Sequence, residues 1–135
     1  MVLEAGAVAY WLGFDPGHDK FVYILGTNSA REVLAFTISS QTKYLSRQPH
    51  ANEMVEIPVG TANCFQKVCF IQCFYEVRRT PISEFRDLER RGYISYRASL
   101  PQFIPAILNC VRNSELLDGY DQDAVIDLLG PIANA

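Results

Sequence analysis

The chain has 135 residues, of which 49% are apolar and 20% charged, with a formal net charge of -3. This length and apolar share suit one compact core spanning residues 1–135 and are too short for two ordinary domains, while the acidic balance argues against a protein that coats nucleic acid through a strong positive field. No run reaches the roughly 18 to 20 apolar residues that a membrane helix needs, and Glu4 stands where a secretion signal would be basic, so a cytoplasmic location is expected.

Ala7 to Leu12 predicts a first strand, closed by Gly13 and the turn residues Asp15-Pro16-Gly17. Phe21 to Leu25 has no polar alternation and suits a central strand covered on both faces. Gly26-Thr27-Asn28-Ser29 supplies turn chemistry into a third strand, Val33 to Ser39. Period-two alternation puts Val33, Ala35, Thr37 and Ser39 on one face of it and the bulkier Leu34, Phe36 and Ile38 on the other. Antiparallel pairing of the second and third strands brings His18, Lys20, Ser39 and Ser40 to one rim of the sheet, the best candidate for a site.

The polar segment Gln41 to Asn52, with Lys43, Arg47 and Pro49, is expected as a surface loop and a flap over that rim. Met54 to Val59 alternates as a strand with Pro58 at an edge or bulge. A longer strand is expected from Val68 to Val77, bent or bulged near Gln72, with Cys69, Ile71, Cys73, Tyr75 and Val77 on one face and Phe70, Gln72, Phe74, Glu76 and Arg78 on the other.

Thr80 as N-cap and Pro81 as first residue open a helix over Ile82 to Arg91, stopped by Gly92. A short strand follows at Tyr93 to Tyr96. Ser99 is expected to cap a second helix with Phe103, Ile104, Ile107, Leu108 and Val111 on one stripe, and a third, short helix covers Asp123 to Leu129 and ends at Gly130-Pro131. Strands first and helices later predict a mainly β or α+β fold: a small antiparallel sheet or barrel with two or three peripheral helices.

Charge is uneven along the chain. Six of the twelve basic residues, Arg78, Arg79, Arg86, Arg90, Arg91 and Arg97, fall within twenty positions, whereas Glu115 to Asp127 holds five acids and no base. The four cysteines, Cys64, Cys69, Cys73 and Cys110, lie in apolar sequence with no Cys-x-x-Cys pair and no neighbouring histidine, and are expected as reduced core residues. No P-loop, dinucleotide fingerprint, nucleophile elbow, zinc spacing or calcium loop is present, so neither a metal nor a cofactor is expected.

The order of the pieces resembles the PemK/MazF type of toxin. The segments that carry the resemblance are a first strand with an aromatic pair, Tyr10-Trp11, then "K-F-V-Y-I-L" from Lys20, "A-F-T-I-S-S" from Ala35 to Ser40 and "V-E-I-P-V" from Val55. Downstream it continues through Phe65, Lys67, Arg79-Thr80-Pro81-Ile82-Ser83 and Gly92-Tyr93-Ile94-Ser95 to a final amphipathic helix, covering residues 7–114.

The resemblance implies an SH3-like barrel and a dimeric endoribonuclease that cuts single-stranded RNA without metal and is neutralised by a cognate antitoxin. The family's site has an arginine at the mouth of the second strand and a threonine at the end of the third; Lys20 and Ser39 stand at those places here. The family's longer glycine-rich loop between the first two strands is replaced by Gly13-Phe14-Asp15-Pro16-Gly17.

Cleavage through the ribose 2′-hydroxyl needs a proton acceptor, a proton donor and a cation for the charge on phosphorus. Lys20 supplies a point charge, His18 an imidazole able to take up and give a proton, and Ser39 a hydrogen bond to a phosphate oxygen. These three are the expected catalytic residues, with Ser40, Arg78 and Arg79 expected to contact RNA. Two other readings use the same barrel: a catalytically inactive module that binds a protein or nucleic acid, and a gyrase-directed poison.

Overall fold

The computed structural model describes residues 1–42, 45–74 and 76–134. Lys43 of the polar loop and Tyr75 of the expected long strand lie outside the described residues. Among the described residues the fold is mixed α+β: a seven-stranded antiparallel sheet and three α-helices.

Strand β1 (Ala7–Asp15) and strand β2 (His18–Thr27) form a hairpin that is longer at both ends than the apolar runs suggest, and β3 (Glu32–Ser39) pairs with the other edge of β2. Strands β4 (Met54–Ile57), β5 (Cys69–Gln72), β6 (Arg78–Pro81) and β7 (Ile94–Ser99) complete the sheet in the order β4-β5-β3-β2-β1-β7, with β6 also on β3. Among the described residues, β4 and β7 end this path without pairing to each other. The sheet is therefore open, where the sequence led us to expect a closed barrel.

Of the single strand expected from Val68 to Val77 only Cys69–Gln72 is strand, and β6, which begins just beyond that range, lies end to end with it along one edge of β3. Ile71 pairs with Ile38 and Arg78 with Ala35, so the chain leaves the ladder after Gln72 and rejoins it at Arg78. Buried amides at such a break need other acceptors. Cys73 N–H donates to the Glu53 carbonyl at 3.0 Å, and Val77 N–H donates to the Asp121 carboxylate at 3.1 Å.

The helices are α1 (Ile82–Arg90), α2 (Ile104–Arg112) and α3 (Gly119–Ala133). Thr80 is not the cap of α1. It is buried in β6 opposite Val33, and Pro81 takes the cap position without a side-chain bond. Gly92 does end the helix, at φ 82°, a conformation that costs glycine little. Ser99 closes β7 rather than capping α2, because a 3₁₀ turn at Pro101–Phe103 intervenes. Asp118 caps α3 by accepting from Asp121 N–H at 2.9 Å, and the helix starts four residues earlier than expected and runs through Gly130-Pro131.

Period-two alternation divides the core between the two faces of the sheet. Tyr23, Leu25, Leu34, Phe36 and Ile38 pack with Ile107, Val111, Val125 and Leu129 of α2 and α3. Val22, Ile24, Val33, Ala35 and Trp11 pack on the opposite face with Phe85 of α1. Trp11 meets Phe14 and Phe85 edge-on at 5.1 and 5.9 Å, which fixes it inside this second core.

The basic and acidic stretches meet directly. Arg79 donates to Asp121 at 2.9 Å, with side chains 19% and 9% exposed, and its second contact is Glu32 at 3.8 Å. Burial disfavours the Arg79 charge, but the Asp121 hydrogen bond and its negative charge outweigh that and raise the guanidinium pKa. Asp121 thus satisfies one amide and one cation at once. Asp121→Asn should lower stability by about 2 kcal/mol, the scale of a charged hydrogen bond lost in a largely buried place. Asp123→Asn, at an exposed position of the same helix, should change it little. Urea unfolding of the two variants checks this.

Candidate functional site

The face of the sheet that packs on α1 turns polar towards the rim. Val22 is opposite Thr37 and Phe21 opposite Ile38, so the next step of the ladder sets Lys20 against Ser39, on the face of Val22 and Thr37. There a cleft of about 480 Å³ opens, lined by His18, Lys20, Thr37, Ser39, Gln72 and Arg78, with Phe14, Asp15, Gln41 and Glu76 around them.

Two irregularities build this cleft. Between the pairs Trp11↔Lys20 and Asp15↔His18, β1 advances four residues while β2 advances two. The excess is a bulge around Gly13, whose φ of 67° suits glycine, and it swings Phe14 and Asp15 over the rim. The Asp19 carboxylate holds the bulge by accepting from Gly13 N–H at 2.8 Å. On the far side, the break in pairing along β3 lets Gln72 and Glu76 line the cleft, and Thr37 Oγ1 donates to Gln72 Oε1 at 3.0 Å across it.

Arg78 is held by ring faces more than by charge. Its guanidinium lies 4.4 Å from the Phe14 centroid and 5.4 Å from that of Trp11, and donates to the Phe14 carbonyl at 3.4 Å. Its ion pair with Asp15 is long, 3.9 Å, between side chains 37% and 52% exposed, and so is weak enough for an incoming anion to replace. Ser39 is buried to 7% exposure, and its hydroxyl accepts from Gln41 N–H at 3.1 Å. That bond leaves the hydroxyl hydrogen to be donated. His18 is exposed at the start of β2, directly after the turn.

The structure therefore brings His18, Lys20, Ser39 and Arg78 to one cleft. Ser40 is exposed and lines the neighbouring cleft instead, and Arg79 projects to the opposite face of the sheet, engaged by Asp121 and Glu32. Thr37, Gln72, Glu76, Phe14 and Asp15 were missed as site residues. Parity offered a signal for three of them: Thr37 shares the strand face of Ser39, and Gln72 and Glu76 alternate in step with Arg78. The bulge that delivers Phe14 and Asp15 has no such signal.

A larger cavity, about 570 Å³, lies elsewhere, between the end of the polar loop and α2, with Pro49, Asn52, Asn109 and Cys110 in its wall. The loop expected as a flap thus reaches the cleft through Gln41 and runs on to this second cavity. All four cysteines are free thiols. A hydrogen bond from Cys73 stabilises the Cys110 thiolate and, against the opposing effect of burial, lowers its pKa to about 7; burial pushes the Cys73 thiol well up. Iodoacetamide should therefore modify Cys110 first, with a rate that rises through about pH 7, and leave Cys73 unmodified until unfolding. Peptide mapping over a pH series measures this.

Compared with models of known families, with curated proteins and with solved structures, the chain matches none.

Proposed function

We propose that the rim cleft binds single-stranded RNA and cuts it without a metal, in the manner of the PemK/MazF-type endoribonucleases. The observation that supports this reading is that two cations, Lys20 and Arg78, line one cleft with an exposed imidazole and a hydroxyl that has a hydrogen to donate. In the proposed reaction the ribose 2′-oxygen attacks the adjacent phosphorus, the bond from phosphorus to the 5′-oxygen breaks, and a 2′,3′-cyclic phosphate and a free 5′-hydroxyl result. The proton lost by the 2′-hydroxyl is balanced by the one gained by the leaving oxygen, and His18 is the group that moves a proton.

Lys20 and Arg78 offset the negative charge that builds on the phosphoryl oxygens, and Ser39 donates to one of them. Arg78 restores the planar, forked donor that the family places at the second strand and that Lys20 cannot supply. An SH3-like architecture, left open between β4 and β7, belongs to the same reading. So do a cytoplasmic setting, a second copy of the chain and a cognate antitoxin as partners. Among the described residues no helix is long and apolar enough to cross a membrane.

Purified protein should cut single-stranded RNA in the presence of a chelator. Replacing His18, Lys20, Ser39 or Arg78 singly by alanine should slow cleavage about a hundredfold or more. Unchanged cleavage in all four variants removes the site, and tight binding without cleavage converts the reading to a binding module on the same sheet.

A further inference from the structure

A second cleft, of about 380 Å³, backs onto the first and shares Lys20, Ser39 and Gln41 with it. Its volume falls within the roughly 300 to 1,000 Å³ of small-ligand sites. Its lining differs in kind. Where the first cleft mixes cations with the carboxylates Asp15 and Glu76, the second is aromatic: Tyr10, Phe21 and Phe65 form a continuous row, with ring centroids 4.8 and 5.1 Å apart. Phe65 is buried, but Tyr10 and Phe21 are only partly covered and present ring surface to the cleft.

Cations surround the row. Lys67 is exposed on its wall, and the Arg97 guanidinium lies 5.2 Å from the Tyr10 ring. The carboxylate among the lining residues, Asp19, already accepts the Gly13 amide. Partly exposed rings next to cations suit a flat, polarisable, electron-rich group attached to a phosphate.

We infer that this second cleft is a nucleobase subsite, stacking the base of a nucleotide that neighbours the phosphodiester held in the first cleft. The inference rests on the RNA reading and extends it across the rim. Lys20, Ser39 and Gln41 form the ridge between the two clefts, so a strand lying over that ridge puts its backbone on one side and a base on the other. Stacking is tolerant of base identity because every base has a π-face, so the subsite adds affinity without strict sequence choice.

The test uses fluorescence anisotropy with two short single-stranded RNA oligomers of equal charge, both 2′-O-methylated so that neither can be cut, one bearing all its bases and one abasic throughout. The base-bearing oligomer should bind about tenfold or more tightly than the abasic one, the contribution of roughly one stacked base. In Tyr10→Leu that preference should fall to less than about threefold, with abasic binding unchanged. Equal binding of the two oligomers by the unmodified protein overturns the subsite and leaves the phosphate cleft standing; failure to bind either overturns both.

Should melting show Tyr10→Leu to be unfolded, Arg97→Met at an exposed position carries the test. Its base preference should drop at least about threefold, the weaker effect expected of a cation beside the ring, and an unchanged preference overturns the subsite.

Discussion

The interruption of pairing along one edge of β3 is the constraint on which the rest of this structure depends. An unbroken ladder from Cys69 to Arg79 would leave no polar recess against Thr37. Instead the chain departs after Gln72 and returns at Arg78, and the freed amides are taken up by distant groups, the Glu53 carbonyl for Cys73 and the Asp121 carboxylate for Val77. Glu53 is itself buried, its carboxylate accepting from the Ser114 hydroxyl and from Glu115 N–H at 3.0 Å. Both margins of the break are thereby tied to the segments that follow α2. A local departure from sheet geometry is sustained by side chains distant in sequence, and the recess it leaves is lined by Gln72, Glu76 and Arg78.

The same logic explains how a chain with net negative charge carries a cleft with two cations. The basic residues are sorted by what they meet. Arg79 is consumed by Asp121 and Glu32, Arg90 and Arg91 reach Asp87 one helical turn away, and Arg86 reaches Glu89. The acidic stretch near the end of the chain likewise contributes a buried anchor through Asp121 rather than a free tail. Arg78, one residue from Arg79 and on the other face of the strand, has among the described residues one ion pair, a long one with Asp15. A difference of one position in a strand decides whether a guanidinium stabilises the fold or faces a cleft.

Much of the fold was legible in the sequence because it follows from alternation and turn chemistry. The hairpin of β2 and β3 and the face assignment of Ser39 both come from period two, and the stop at Gly92 from backbone freedom. What was hidden depends on long-range partners. Thr80 reads as a cap from its neighbours, but pairing with Val33 claims it for a strand. Gly130-Pro131 reads as a terminus, yet proline tolerates a place in a helix once packing of Val125 and Leu129 holds the rest of that helix. At the site, His18, Lys20, Ser39 and Arg78 could be found from strand ends and charge, whereas Asp15 and Phe14 required knowledge of a bulge that no local signal announced. Closure of the sheet was likewise beyond reach, since it turns on whether two terminal strands meet.

Arg78 sits between two residues moored to the same carboxylate, Val77 through its amide and Arg79 through its guanidinium. Its main chain is therefore fixed from the far side of the sheet, while Phe14 and Trp11 confine its side chain from above. The rotational freedom that a surface arginine ordinarily surrenders when an anion arrives has here already been given up during folding, so this guanidinium is preorganised, and a ligand meeting it gains its charge without having to order it first.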